Sequence, residues 1–168
     1  MTLGYVLFPV THECNLICSG CPVRGRHFGS LQENLRVLLQ NQCAEWVFLT
    51  GGEPMLVKEL PEICRELTRA GYKVGLTTNG TIDRPDIYPL INRFGVSLDG
   101  EKEYHDNYRG PGVFDKAWAL LNKVNTICET VVMSTLYSDN QEPLNLLRPL
   151  VEQLNPSYWQ ITKDVRVA

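Results

Sequence analysis

Three cysteines stand close together near the N-terminus, Cys14, Cys18 and Cys21, in the order C-x3-C-x2-C. As thiolates they are ligands for iron or zinc, but three cannot fill the four thiolate positions of an ordinary iron–sulfur cluster. On a [4Fe–4S] cluster they leave one iron open to a non-protein ligand, and an open iron can do chemistry beyond carrying an electron. A structural zinc would instead need a fourth ligand, which His12 or His27 could supply. Three further groups have chemical potential: Gly51-Gly52-Glu53-Pro54, Thr78-Asn79-Gly80 and Ser97-Leu98-Asp99-Gly100. Glycines permit close backbone approach, and the Glu53 carboxylate can accept charge-assisted bonds from an ammonium group. Ser97 and Asp99 are two apart, so on a strand they share a face and suit ribose hydroxyls or a substrate group. Each group taken alone also reads as an ordinary turn or cap.

The elements that must position these residues alternate. Strand-like runs rich in Val, Ile, Phe, Trp and Thr cover 4–9, 45–50, 73–78, 93–98, 130–136 and 158–162. Most lack strict polar alternation, the pattern of strands buried on both faces. Between them, Ser30-Leu31-Gln32-Glu33 is a capping box for a helix to about Gln42. Pro61 suits a helix start and Gly71 its stop. Residues 113–124 and 142–154 carry helical spacing, and 85–91 is a short segment. This is a parallel (β/α) layout of α/β class, with six strands in either an open doubly wound sheet or a curved partial barrel. All four chemical groups then fall at the C-terminal ends of strands, where ligands gather in such folds.

The chain has 168 residues, 43% of them hydrophobic, and a formal net charge of −3. That suits one domain, 1–168, with a real core, and gives no reason to expect nucleic acid or an acidic membrane as partner. No apolar run is long enough for a membrane span or a signal-peptide core, so a cytoplasmic chain with reduced thiols is expected. Cys43, Cys64 and Cys128 stand singly and read as small packing residues. Trp46 and Trp118 read as core, and either Tyr158 or Trp159 should face the sheet interior.

The cysteine triplet, Gly51–Pro54, Thr78–Gly80 and Ser97–Gly100 together resemble the radical S-adenosylmethionine (SAM) superfamily, from Thr11 to about Ile161. The stretch His105-Asp-Asn-Tyr-Arg109-Gly-Pro-Gly-Val-Phe114 is similar to a loop in the branch that contains molybdenum-cofactor biosynthesis enzyme A and many peptide-modifying maturases. The resemblance implies a partial (β/α)6 TIM-type barrel, a [4Fe–4S] cluster on Cys14, Cys18 and Cys21, and SAM on the open iron. It implies reductive SAM cleavage to a 5′-deoxyadenosyl radical that abstracts hydrogen from a peptide or biosynthetic intermediate. An external one-electron reductant of flavodoxin or ferredoxin type is implied as well. By the same resemblance Gly51, Gly52, Glu53 and Pro54 hold the SAM amino group, and Thr78 and Asn79 line the SAM cleft. Ser97, Asp99 and a polar residue of the fifth strand, Ser134 or Thr135, contact SAM. Arg24 and Arg109 are candidate substrate clamps. Gly20 departs from the family's aromatic before the last cysteine, which removes a side chain beside the adenine. Two other functions compete: an activase of glycyl-radical enzymes acting on a partner protein, and a non-enzymatic iron–sulfur electron-transfer or sensor protein. The sequence shows no cysteine-rich extension after its sixth strand, so a partner protein or peptide closing the barrel, or a longer protein, is expected.

Overall fold

The computed structural model describes residues 3–21, 23–42 and 44–164, and Cys43 lies outside them. The strands are β1 (Leu3–Thr11), β2 (Ala44–Gly51), β3 (Lys73–Thr78), β4 (Arg93–Ser97), β5 (Glu129–Leu136) and β6 (Tyr158–Lys163). The helices are α1 (Leu31–Asn41), α2 (Leu60–Arg69), α3 (Lys102–Arg109), α4 (Val113–Val124) and α5 (Gln141–Leu154). Every strand pairs in parallel with the next, in the order β1-β2-β3-β4-β5-β6. A doubly wound sheet reverses its strand order; this one does not. Successive right-handed crossovers therefore put the helices on one face and curl the sheet around the other. The result is a half-barrel, the curved alternative of the two layouts.

Local signals fix most element ends. Ser30 caps α1 by accepting from Glu33 N–H at 3.4 Å, while the Glu33 carboxylate turns to Arg36 instead of closing the capping box. Pro61 lies in the first turn of α2, where its missing N–H costs nothing. Residues 102–109 differ from expectation: they form a helix, not a loop. Glu101 caps it, and Gly110 ends it at φ 130°, which starts α4 as a separate helix after Gly112.

The two faces of the sheet have different surroundings. On the outer face Val47, Leu49, Val74, Leu76, Phe94, Val96 and Val132 are buried against Leu60, Ile63, Leu67, Leu121 and Leu147 of the helices. The inner face, expected to be buried as well, lines an open cavity of about 730 Å³. Tyr5 and Leu7 of β1 face it at 61% and 62% exposure. Apolar runs without alternation here reflect a hydrophobic cavity wall rather than a second packed layer. Trp46 belongs to this inner face, stacked on Phe48 at 5.7 Å. The Arg93 guanidinium sits 4.4 Å from the Trp46 ring and 5.0 Å from that of Tyr158, and pairs with Glu129 at 2.8 Å. That sandwich closes the floor of the half-barrel at the N-terminal ends of β2, β4 and β6. Tyr158, not Trp159, is thus the residue that faces inward. Trp118 stacks on Phe114 beside the core; Cys64 lies within the core and Cys128 packs against it.

One-sided burial sets a measurable contrast. Leu49→Ala, at 0% exposure on the outer face, should cost about 3 kcal/mol in urea unfolding. Leu7→Ala, on the open face, should cost under about 0.5 kcal/mol; equal losses would contradict this layering.

Candidate active site

The cysteine loop leaves the end of β1 and is clamped from β2. Gly52 N–H donates to Thr11 O and Glu53 N–H to Glu13 O, both at 2.8 Å. A Cβ on Gly51 would lie 2.1 Å from Thr11 O, and one on Gly52 would lie 2.0 Å from Glu13 O. Only glycine lets the two backbones meet here, one residue ahead of Cys14. The paired glycines thus have a geometric task of their own: they set where the cysteine loop begins.

Glu53 has a structural task of its own. Its side chain is 0% exposed and both carboxylate oxygens are bound within the protein. Oε1 accepts from Met55 N–H at 3.0 Å and from the Thr78 hydroxyl at 2.7 Å. Oε2 accepts from Asn79 N–H at 2.7 Å. Burial raises the Glu53 pKa, and these donors pull it back down. The carboxylate is a strut between the end of β2 and the end of β3. Pro54 opens the 3-10 turn that follows.

Asn79 extends the strut to the cysteines. Its Nδ2 donates to Asn15 Oδ1 at 2.9 Å and points at Cys14 Sγ at 3.8 Å. Thr81 closes the triangle, accepting from Asn15 Nδ2 at 2.8 Å and donating to Asn79 Oδ1 at 2.6 Å. Leu16 N–H also reaches Cys14 Sγ at 3.4 Å, a donor arrangement that suits a thiolate ligand.

The far side of the loop is held from β4 and α3. Asp99, at 0% exposure, accepts from Arg109 through Nε and Nη2, both at 2.7 Å, and from Thr135 N–H at 2.9 Å. Ser19 N–H donates to Tyr108 O at 3.0 Å, so Cys18 lies beside the end of α3. Burial raises the Cys18 thiol pKa while the Arg109 guanidinium lowers it. Arg24 Nη2 donates to Cys18 O at 2.8 Å. The Asp99 carboxylate and both arginines are thus engaged with the protein. His105, fully buried, accepts from Asp99 N–H at Nδ1, 3.1 Å away, and so stands as the neutral imidazole. Burial lowers its pKa to about 4.

On β5 the two candidates separate by face. The Ser134 hydroxyl donates to Leu98 O and accepts from Trp159 Nε1 at 2.9 Å, on the helix side of the sheet. It faces away from the cavity that Met133 lines, and of the two candidates Thr135 is the one on the inward face. By the same alternation Ser97 faces inward above Gly95. With Thr50, Thr77 and Thr162 in the cavity wall, Ser97 and Thr135 complete a collar of hydroxyls beneath the rim. Thr50, Thr77 and Thr162 were missed in the sequence, where a Thr in an apolar strand reads as ordinary β preference. Their shared position near the ends of β2, β3 and β6 is the signal that could have found them.

The cysteines are the only exposed or half-buried sulfur donors on the described rim. Among the described residues no three His, Cys, Asp or Glu side chains lie close enough to share one ion. A cluster does not require that, since each thiolate binds a different iron. The donor set therefore fits a three-cysteine cluster. His12 and His27 are exposed, with ring centroids 5.7 Å apart. No helix of the described residues is long and apolar enough to cross a membrane.

With this geometry in place, residues 8–148 match the Radical SAM superfamily, and the chain belongs to that superfamily. It is 33% identical over 132 residues to an AdoMet-dependent heme synthase of Methanosarcina barkeri, covering 68% of this chain and 37% of that protein. It is 34% identical over 119 residues to a probable GTP 3′,8-cyclase of Saccharolobus islandicus, covering 64% and 39%. Streptococcus suis SuiB superposes with TM-score 0.82 at 16% identity, covering 99% of this chain and 41% of that one. Tagged anSMEcpe with bound AdoMet gives TM-score 0.76 at 22% identity, covering 97% and 51%. The chain thus spans less than half the length of the curated relatives named here. Membership supports SAM chemistry, and the structural likenesses show the fold.

Two measurements check the site. Glu53→Ala strands three donors and should cost about 3 kcal/mol in urea unfolding; an unchanged midpoint would mean water replaces the strut. His105 has a depressed folded pKa, so the unfolded chain binds its proton more tightly, and stability falls as pH drops from about 6.5 toward 4. From pH 7 to pH 5 this group alone should remove about 2 kcal/mol. His105→Gln, which keeps an acceptor for Asp99 N–H, should flatten that part of the pH profile.

Proposed function

We propose that this chain is the core of a radical SAM enzyme that holds a [4Fe–4S] cluster on Cys14, Cys18 and Cys21 and abstracts hydrogen from a peptide or biosynthetic intermediate. The observation that carries the reading is the convergence of two strand ends and a helix end on one cysteine loop: Gly51–Gly52 at its start, Asn79 at Cys14, and the α3 end at Ser19. Such bracing suits a site whose reacting atoms must be placed to within a fraction of an ångström. When bound, the cluster and SAM supply one-electron cleavage of the sulfonium and a radical able to take hydrogen.

The chain's own residues provide position and shelter. The turn Gly51–Pro54, whose backbone lies against residues 11–13 at the start of the cysteine loop, holds the SAM amino group. Ser97 and Thr135 are the inward hydroxyls for the ribose or substrate side. Leu7, Phe48, Val131 and Met133 give the open cavity apolar walls, and its 730 Å³ volume suits a substrate group of drug-like size. A peptide substrate draws support from SuiB, which has been solved bound to its precursor peptide SuiA. The reductant is an external one-electron donor.

Anaerobic reconstitution should give a [4Fe–4S] signal in electron paramagnetic resonance after reduction. SAM should perturb that signal, and 5′-deoxyadenosine should form. Cys18→Ala should lose most iron and sulfide while keeping its circular dichroism. A SAM-insensitive signal with no 5′-deoxyadenosine would favour an electron-transfer protein.

A further inference from the structure

The Asp99–Arg109 pair is more than the fold requires. A buried ion pair is a weak source of stability, because desolvating two charges offsets most of their attraction. Asp99 Oδ1 is already satisfied by Thr135 N–H, and the Asp99 backbone is fixed by His105 and Asn140. Yet Arg109 is carried at the end of α3 with its side chain only 15% exposed. Nε and Nη2 go to one oxygen of Asp99, while Nη1 has no protein acceptor among the described residues. The neighbouring residue, Tyr108, anchors Ser19 by its carbonyl, which holds the end of α3 beside the cysteine loop, and the guanidinium lies close enough to Cys18 to act on it electrostatically. A fixed positive charge is thereby stored next to a cysteine that the proposed function makes a cluster ligand.

We propose that Arg109 sets the reduction potential of the cluster, with Asp99 as its partial counterweight; the inference rests on the reading of Cys14, Cys18 and Cys21 as cluster ligands. Reduction adds one negative charge to the cluster. A nearby cation with low solvent exposure favours the reduced state, and salt screens it weakly. Hydrogen bonds and net charge around the sulfurs are the protein's means of moving such potentials. Asp99 orients the guanidinium and cancels part of its field. Arg109 acts here as a positioning and potential-setting residue.

The test is a redox titration followed by electron paramagnetic resonance on the reconstituted protein without SAM, comparing the parent with Arg109→Gln, Arg109→Lys and Asp99→Asn. Arg109→Gln should move the midpoint to more negative potential. Asp99→Asn, which leaves the cation uncompensated, should move it to more positive potential, and Arg109→Lys should stay near the parent. Shifts of opposite sign are the signature, because a merely structural pair would lower stability and cluster content without them. Midpoints that do not move, or that move the same way in Arg109→Gln and Asp99→Asn, overturn the inference. If Arg109→Gln does not fold, the positive shift of Asp99→Asn beside an unshifted Arg109→Lys decides for it, and any other result decides against. A parent protein that takes up no [4Fe–4S] cluster overturns the proposed function itself, an outcome distinct from a cluster whose potential ignores these residues.

Discussion

A carboxylate with no access to water holds the rim together. Glu53 receives donors from its own turn and from two consecutive residues at the end of β3. Each bond alone is modest, but an acceptor buried with all its donors present makes the arrangement all-or-none. From it the order spreads outward: Asn79, fixed at its backbone by Glu53, fixes Asn15 and approaches Cys14 with its side chain. The cysteine loop has no regular structure of its own between β1 and α1, so its shape is borrowed from these neighbours.

A second cluster of buried polar groups mirrors the first across the loop. Asp99 links β4 to β5 through Thr135 N–H and to α3 through Arg109, while Asn140 joins the same backbone from the start of α5. The loop is gripped from both sides by parts that are themselves buried, and the inner face is left free. That division is what the strand order makes possible, since a sheet wound in one direction sends its helices to one side and keeps the other open.

Much of this was legible in the sequence, and the misses share a cause. Six strand runs and four of the five helices could be placed because hydrophobic period and punctuation agree there. The helix 102–109 was hidden because its sequence is polar with one buried face residue, His105, which offers no periodic stripe. The rim residues were identified by motif, but their partners were not. Glu53, Asp99 and Arg109 have the chemistry of ligand contacts, and whether a charge faces a ligand or another residue depends on contacts remote in sequence. Ser134 and Thr135 are adjacent, so the choice between them turns on a one-residue register that only the paired strands fix.

The two glycines after β2 carry a consequence for how such a site can change over time. With about 2 Å between an added Cβ and the opposing backbone oxygens, any side chain at either position pushes the cysteine loop off its seat. Selection for a folded protein and selection for its chemistry are therefore fused at Gly51 and Gly52. A variant library sorted only for solubility and stability, with no cofactor present, would still return both glycines. Half of what looks like a ligand-binding signature would be recovered by steric exclusion alone.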